Sequence, residues 1–470
     1  MQKPETDAIA ELISKLGNNK ILTTKEELIP FMKDASYITG KLPLAVCLPD
    51  NPGDISTILG VCNNYKINVT VRSGGTSLTG SSVTDFNGII ISTMNLNRIL
   101  EINTSSRYAV CEPGVRIDIL NQELRKYNFF YPPDPASSRA STIGGSLSTN
   151  AGGLRAVRYG ATKEWVLGMD VVVPDGHIIR TGEYTLKRSA GYDITALMIG
   201  SEGTLGVITR AILKIEPLPE ATAKLIAFYK DIESVGKSMD SIKSKGITPL
   251  IAEFMDLGTI NSIRKNMEID IPEYTQFLLM IDVDSPEEGL ARKIEDVKKI
   301  LNEFTDDVTV ITDQNHMDKI YAARKGAYSA LLDLRENNNQ LVVIGDVIVP
   351  STELASTMKE IAESINNDGM RATLFGHIGD GNIHANIFMD NTDEGRKKME
   401  KLQMDIARAA IRHRGSVSAE HGIGTEKNRL LYEEYKDRDS LYTLEIMKSI
   451  KKVFDPNEIL NRGKIFYEPN

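Results

Sequence analysis

Apolar residues recur at helical spacing over residues 7–16 and stop at Gly17, which predicts a surface helix leading into a first domain. An apolar extended run at 42–49, a helical pattern at 55–65 and a strand pattern at 67–71 follow, and the last runs straight into Arg72-Ser-Gly-Gly-Thr-Ser-Leu-Thr-Gly80. Further strand patterns lie at 88–93, 99–102, 108–111, 166–173, 177–181 and 207–215, with a helix near 115–126 and a short one at 193–198. After Pro217-Leu-Pro219 strands at 224–229, 249–255, 276–283, 308–311 and 341–348 alternate with helices at 232–245, 286–304, 315–334, 352–364 and 393–413. This alternation predicts an antiparallel sheet covered on one face by helices, so the chain as a whole reads as α+β. A smaller helical piece is expected from residue 419, and the division expected is 1–219, 220–413 and 414–470.

Composition adds little beyond class. A chain of 470 residues exceeds one core, and 41 % hydrophobic with 25 % charged residues is ordinary for a soluble globular protein. The net charge of −9 argues against a nucleic-acid or anionic-membrane surface. Cys47, Cys62 and Cys111 lack C-x-x-C spacing, which leaves neither a disulfide framework nor an iron–sulfur site and predicts buried thiols. No apolar leader and no uncharged run of membrane-spanning length stands in the sequence, so no membrane span is expected and a cytoplasmic location is the default.

The glycine clusters change the picture more. In the 72–80 loop Gly74, Gly75 and Gly80 alternate with Ser73, Thr76, Ser77 and Thr79, and successive amides in such a loop form a concave anion site suited to a phosphate or pyrophosphate. The pattern is neither G-x-G-x-x-G nor a P-loop. A second small-residue stretch, Ser141-Thr-Ile-Gly-Gly-Ser-Leu-Ser-Thr-Asn-Ala-Gly-Gly153, has little to bury; it is expected to make no stable core element by itself and to wrap against something flat and polar-edged. Gly200-Ser-Glu-Gly-Thr-Leu-Gly206 continues the theme.

Two of the six histidines flank one turn, Gly376-His-Ile-Gly-Asp-Gly-Asn-Ile-His-Ala-Asn-Ile-Phe388. A four-residue loop at 379–382 would pair Ile378 with Ile383 and set His377 directly across from His384, with Asn386 on the same face. Two opposed imidazoles suit either a divalent-metal site lacking its third ligand or a hydrogen-bonded polar core, and the hairpin alone leaves both open.

Taken in order, R-S-G-G-T-S-L-T-G, P-P-D-P, T-I-G-G-S-L-S-T-N-A-G-G, G-S-E-G-T-L-G and G-H-I-G-D-G-N-I-H resemble the FAD-linked oxidases of the vanillyl-alcohol oxidase type. Within them the chain is similar to the D-2-hydroxyacid dehydrogenase group, which includes D-lactate dehydrogenase and the glycolate oxidase flavin subunit. The resemblance implies a two-lobed FAD-binding domain, a substrate (cap) domain and a C-terminal segment completing the flavin and metal site. It implies that Arg72, Ser73, Gly74, Gly75, Thr76, Ser77 and Gly80 hold the FAD pyrophosphate. Pro133, Gly144, Gly145, Asn150, Gly152, Gly203, Ile208 and, near the C-terminus, Asn461 would line the rest of the flavin. Thr76 stands where covalently flavinylated members often carry histidine, so binding would be non-covalent.

The same likeness supplies the third ligand in Val417-Ser-Ala-Glu-His-Gly-Ile-Gly424. It implies His377, His384 and Glu420 as ligands of one divalent metal, with Zn, Mn and Fe left open by the donor set. It implies His421 as general base, Arg324 as the grip on the substrate carboxylate and Asn386 as an orienting residue. Ile344 falls where relatives acting on D-2-hydroxyglutarate carry lysine, which favours a small monocarboxylate, D-lactate first and glycolate next. Asn461-Arg-Gly-Lys replaces the usual Asn-Pro-Gly-Lys, which predicts a looser turn. With no cluster ligands of its own, the chain is expected to pass electrons to a partner protein, an electron-transferring flavoprotein or an iron–sulfur subunit, and a homodimer is compatible with the sequence. The alternatives are a non-redox FAD transferase of the alkyl-glycerone-phosphate synthase type and a flavin subunit that only relays electrons.

Overall fold

The computed structural model describes residues 3–467, which divide into two compact units. The first comprises the chain up to Ala151, Ala161–Leu218 and the chain from Glu420 on; the second comprises Gly152–Gly160 and Pro219–Ala419.

In the first unit the strands Ala45–Cys47 and Asn68–Arg72 both pair parallel to Gly88–Ser92, and Ile21–Leu22 adds an antiparallel edge. The helix Pro52–Tyr65 connects the first two: Asn51 caps it by accepting from the Asp54 amide at 3.0 Å, Pro52 opens it, and Lys66 ends it in the left-handed region at φ 54°. Its Ile55, Ile58, Leu59 and Cys62 are buried at helical spacing. An antiparallel five-stranded sheet follows, in the order Ile99–Asn103, Tyr108–Cys111, Val207–Lys214, Val166–Val172, Ile178–Gly182. The helix Ile117–Arg125 contributes Ile117, Leu120 and Leu124 to its core. All three cysteines are free and buried.

The second small-residue stretch does make an element, contrary to expectation. Residues Ile143–Thr149 form a helix, because Thr142 caps it through the Gly145 amide, Asn150 stops it at φ 51°, and Ile143 and Leu147, one turn apart, reach the core of the five-stranded sheet. Two anchors and two caps suffice where tertiary packing supplies the stability.

The second unit is an antiparallel sheet in the order Val308–Ile311, Ala221–Tyr229, Phe277–Ser285, Ile251–Asp256, Arg371–Gly376, Asn382–Asp390, Gln340–Ile344, with Val347–Ile348 also paired to Asn382–Asp390. Helices cover both faces rather than one. Ile232–Ser244, Glu287–Leu301, Leu354–Asn367 and Asp393–Arg412 pack on the face of Leu225, Phe254 and Ile387, while Leu257–Met267, Gln314–Lys325 and Ala327–Leu332 pack on that of Ile226, Met255 and Phe375. The expected single helix at 315–334 is broken at Gly326, and the expected strand at 341–348 is broken at Gly345-Asp346. An ion pair of the fully buried Lys224 with the partly buried Asp282 lies on the second face; burial raises the Asp282 pKa and Lys224 opposes it. Among the described residues no helix is long and apolar enough to cross a membrane.

Candidate functional site

In the first unit the 72–80 loop leaves the C-terminal end of a parallel strand, with Gly75 at φ +65° and Gly80 at φ +75°. A Cβ on Gly74 would stand 2.5 Å from the Ala140 carbonyl, and Ser73 Oγ lies 2.6 Å from Thr142 Oγ1, so the first two glycine clusters adjoin. The Arg72 guanidinium folds beneath its own loop, donating to the Ser82 carbonyl at 3.3 Å and lying 5.7 Å from the Phe31 ring centre; burial pulls its pKa down. Gly144 packs on Pro113, and Asn150 Oδ1 accepts from the Lys163 amide at 2.9 Å. Pro133 is buried, and Ile208 faces the core of the five-stranded sheet. Gly152 clusters with the second unit.

Asn461 ties this unit together. Its Oδ1 accepts from the Val71 amide at 2.8 Å, its Nδ2 donates to the Glu202 carbonyl at 2.6 Å, and a Cβ on Gly203 would meet that Nδ2 at 2.9 Å. The turn with Arg462 in place of proline is closed by the Lys464 amide donating to the Asn461 carbonyl at 3.2 Å. Asn461→Ala leaves a part-buried amide and a buried carbonyl unpaired, so it is expected to destabilise the protein by about 1–3 kcal/mol, read by denaturant unfolding.

Glu202 was not singled out by sequence. Its buried carboxylate accepts from the Ser81 hydroxyl at 2.5 Å and from the Ile423 and Gly424 amides at 2.7 and 2.8 Å. Burial raises its pKa, and these hydrogen bonds oppose the rise. The Thr79 carbonyl accepts from the Thr425 and Glu426 amides, so the segment after Glu420 and His421 is held against the first glycine loop. Glu420 Oε1 and His421 Nε2 are 3.7 Å apart.

In the second unit the hairpin carries His377 and His384, and its register differs from that expected by two residues. His384 pairs with Phe375, not His377, because the turn winds around the His377 carbonyl, which accepts from the amides of Asp380, Gly381 and Asn382. A shift of two keeps every side chain on its face, so the rings remain neighbours, edge to face with centroids 5.4 Å apart. The Nδ1 of His384 donates to the Gly345 carbonyl at 3.1 Å, and that of His377 to Glu253 Oε1 at 2.5 Å. Both rings thereby present Nε2 as the lone-pair nitrogen, the tautomer a metal ligand needs.

Arg324, near the end of its helix, stacks over Phe375 at 4.3 Å and brings Nη2 to 2.5 Å from Glu253 Oε2. It is 2 % exposed, yet its Nε and Nη2 make no aligned hydrogen bond. Asn386 donates through Nδ2 to the carbonyls of Thr373 and His384, leaving Oδ1 buried with no partner among the described residues. Ile344 pairs with Asn386 in register and shares its face. Asp346, also unforeseen, accepts from Asn382 Nδ2 at 2.9 Å, from the Ser418 hydroxyl at 2.9 Å and from the Ala419 amide at 3.1 Å. It pins the hairpin to the chain one residue before Glu420. Glu253 and Asp346 each stand as a lone acid in an apolar run, and that is the signal that could have found them.

Residues 218–465 match the family described as FAD linked oxidases, C-terminal domain, and residues 43–182 match a FAD binding domain. The chain belongs to the FAD-linked oxidase family. It is 34 % identical over 464 residues to a glycolate oxidase subunit of Bacillus subtilis (strain 168), covering 98 % of this chain and 97 % of that one. It is 33 % identical over 473 residues to a D-lactate dehydrogenase of Anaerostipes hadrus, covering 98 % of each. In fold it resembles p-cresol methylhydroxylase with substrate bound, at TM-score 0.82 and 16 % identity, covering 99 % of this chain and 97 % of that one.

The glycine-rich loops of this FAD-linked oxidase fit the cofactor that the family binds. Two loops rich in small residues adjoin, their backbones turn through positive φ, and the Ser141 Oγ beside them is buried without a partner among the described residues.

Proposed function

We propose that this FAD-linked oxidase oxidises a small D-2-hydroxy acid, D-lactate first and glycolate next, to the 2-oxo acid. The observation that carries the reading is Arg324, a buried guanidinium that is ion-paired through Nη2 to Glu253 but makes no hydrogen bond through Nε, on the same sheet face as the His377 and His384 rings. A buried donor left over beside the Glu253 ion pair calls for a further acceptor, and a carboxylate is a strong one for a guanidinium. The free Asn386 Oδ1 suits a hydroxyl donor.

In this reading His377, His384 and Glu420 hold one divalent ion. Two imidazoles and a carboxylate are a donor set for Zn, Mn or Fe, and the chain passes from the Ala419 amide on Asp346 directly to Glu420. The ion supplies Lewis acidity toward the hydroxyl and carboxylate of the substrate. His421 takes the hydroxyl proton, and Arg324 fixes the carboxylate so that the 2-carbon keeps one orientation. FAD, bound non-covalently by the first unit with Asn461 and the glycine loops, supplies the two-electron acceptor. A protein partner, an electron-transferring flavoprotein or an iron–sulfur subunit, would take up the electrons.

The apolar Ile344 beside Asn386 supports a monocarboxylate. Arg324→Met tests the reading: kcat/KM is expected to fall about 10²–10³-fold, mostly through KM, with FAD content unchanged. An unchanged KM would remove Arg324 from the site. Ile344→Lys is expected to shift preference toward D-2-hydroxyglutarate, measured as the ratio of kcat/KM values.

A further inference from the structure

We infer that Glu253 is the positioning residue of this site: one carboxylate orients both the His377 ring and the Arg324 guanidinium. The inference rests on the function proposed above and extends it to a residue with no part in binding substrate.

Glu253 lies on the Ile251–Asp256 strand, and its side chain is fully buried. In register Met255 pairs with Phe375, so Glu253, two residues back, projects from the same face toward His377, two residues beyond Phe375. Its two oxygens are divided. Oε1 accepts from His377 Nδ1 at 2.5 Å; Oε2 stands 2.5 Å from Arg324 Nη2 without an aligned hydrogen bond. A carboxylate on the far nitrogen of a ligating imidazole fixes its tautomer and ring plane. The ion contact meanwhile holds the guanidinium over Phe375 and leaves its Nε hydrogen for another acceptor.

The Glu253 carboxylate has a cation beside it. On the same face each acid has its own cation, Asp282 with Lys224 and Glu253 with Arg324, and Glu253 acts on Asp282 as a like charge. A neutral glutamine at 253 could keep one hydrogen bond to His377 but gives Arg324 no counter-charge.

The test compares purified holoprotein of the wild type with Glu253→Gln and Glu253→Asp. Bound FAD is measured by absorbance, bound metal by mass spectrometry after loading with Zn²⁺ and with Mn²⁺, metal retention by chelator titration, and KM and kcat with D-lactate. Glu253→Gln is expected to keep its FAD, to lose half its metal at a chelator concentration about 10–100-fold lower, and to show a raised KM. Glu253→Asp, which keeps the charge but shortens the reach, is expected to fall between; it carries the test alone where the glutamine variant does not fold. Metal retention and KM equal to wild type, with only the melting temperature lowered, would overturn the inference and leave Glu253 a packing residue. A wild type that holds neither ion would instead overturn the metal reading beneath it, and with it this role for Glu253.

Discussion

Replacing His384 by alanine is expected to lower flavin reduction by the hydroxy acid at least about 10³-fold while FAD stays bound. The two halves of this result have separate physical origins. The His384 ring is held by the Gly345 carbonyl within the second unit, so its loss removes a donor from the proposed metal set and leaves the glycine loops of the first unit as they are. The backbone should survive: His384 lies within a nine-residue strand paired on both sides, and its neighbours Ile383, Ala385 and Ile387 supply the core contacts on the opposite face. Flavin absorbance after gel filtration measures the first half, and stopped-flow bleaching the second. Loss of FAD from this variant would mean that the hairpin serves structure and not chemistry.

His421→Ala carries the next largest expectation, a fall in kcat of about 10²–10⁴-fold with FAD and metal retained. Its segment is fixed by backbone groups: the Thr79 carbonyl and the Glu202 carboxylate accept from amides at 423–426, so removing the imidazole leaves those contacts in place. A general base also controls the acid limb of the kcat/KM profile, and that limb should vanish in the variant. A profile of unchanged shape with a lowered plateau would assign proton removal to another group.

Much of this was legible before any coordinates. Helix and strand periods gave the α+β plan with an antiparallel sheet after Pro219, and the parity of the hairpin put His377, His384 and Asn386 on one face even though the register was displaced by two residues. Parity is set by local alternation, whereas register depends on how the turn is wound, here around one carbonyl. The Ile143–Thr149 helix was missed because its stability comes from Ile143 and Leu147 docking on a distant sheet. The helix Leu257–Met267 on the second face of the sheet went unread for a similar reason: its N-cap, Asp256, is the last residue of a strand, and its weakly apolar pattern gains meaning only against that sheet. Glu202, Glu253 and Asp346 stood in view as charges among apolar or small residues, but their partners lie 221, 124 and 73 positions away. The chemistry of a buried acid follows from what it touches, and that is tertiary information.

The central claim is that the substrate is a small D-2-hydroxy acid held by Arg324 and oxidised at this site. Its most direct test is anaerobic titration of the purified, metal-supplied holoprotein with D-lactate, L-lactate, glycolate and D-2-hydroxyglutarate, following the flavin absorbance. The account predicts complete bleaching by D-lactate, slower bleaching by glycolate, and little by L-lactate or D-2-hydroxyglutarate. An absorbance that none of the four acids bleaches would contradict it.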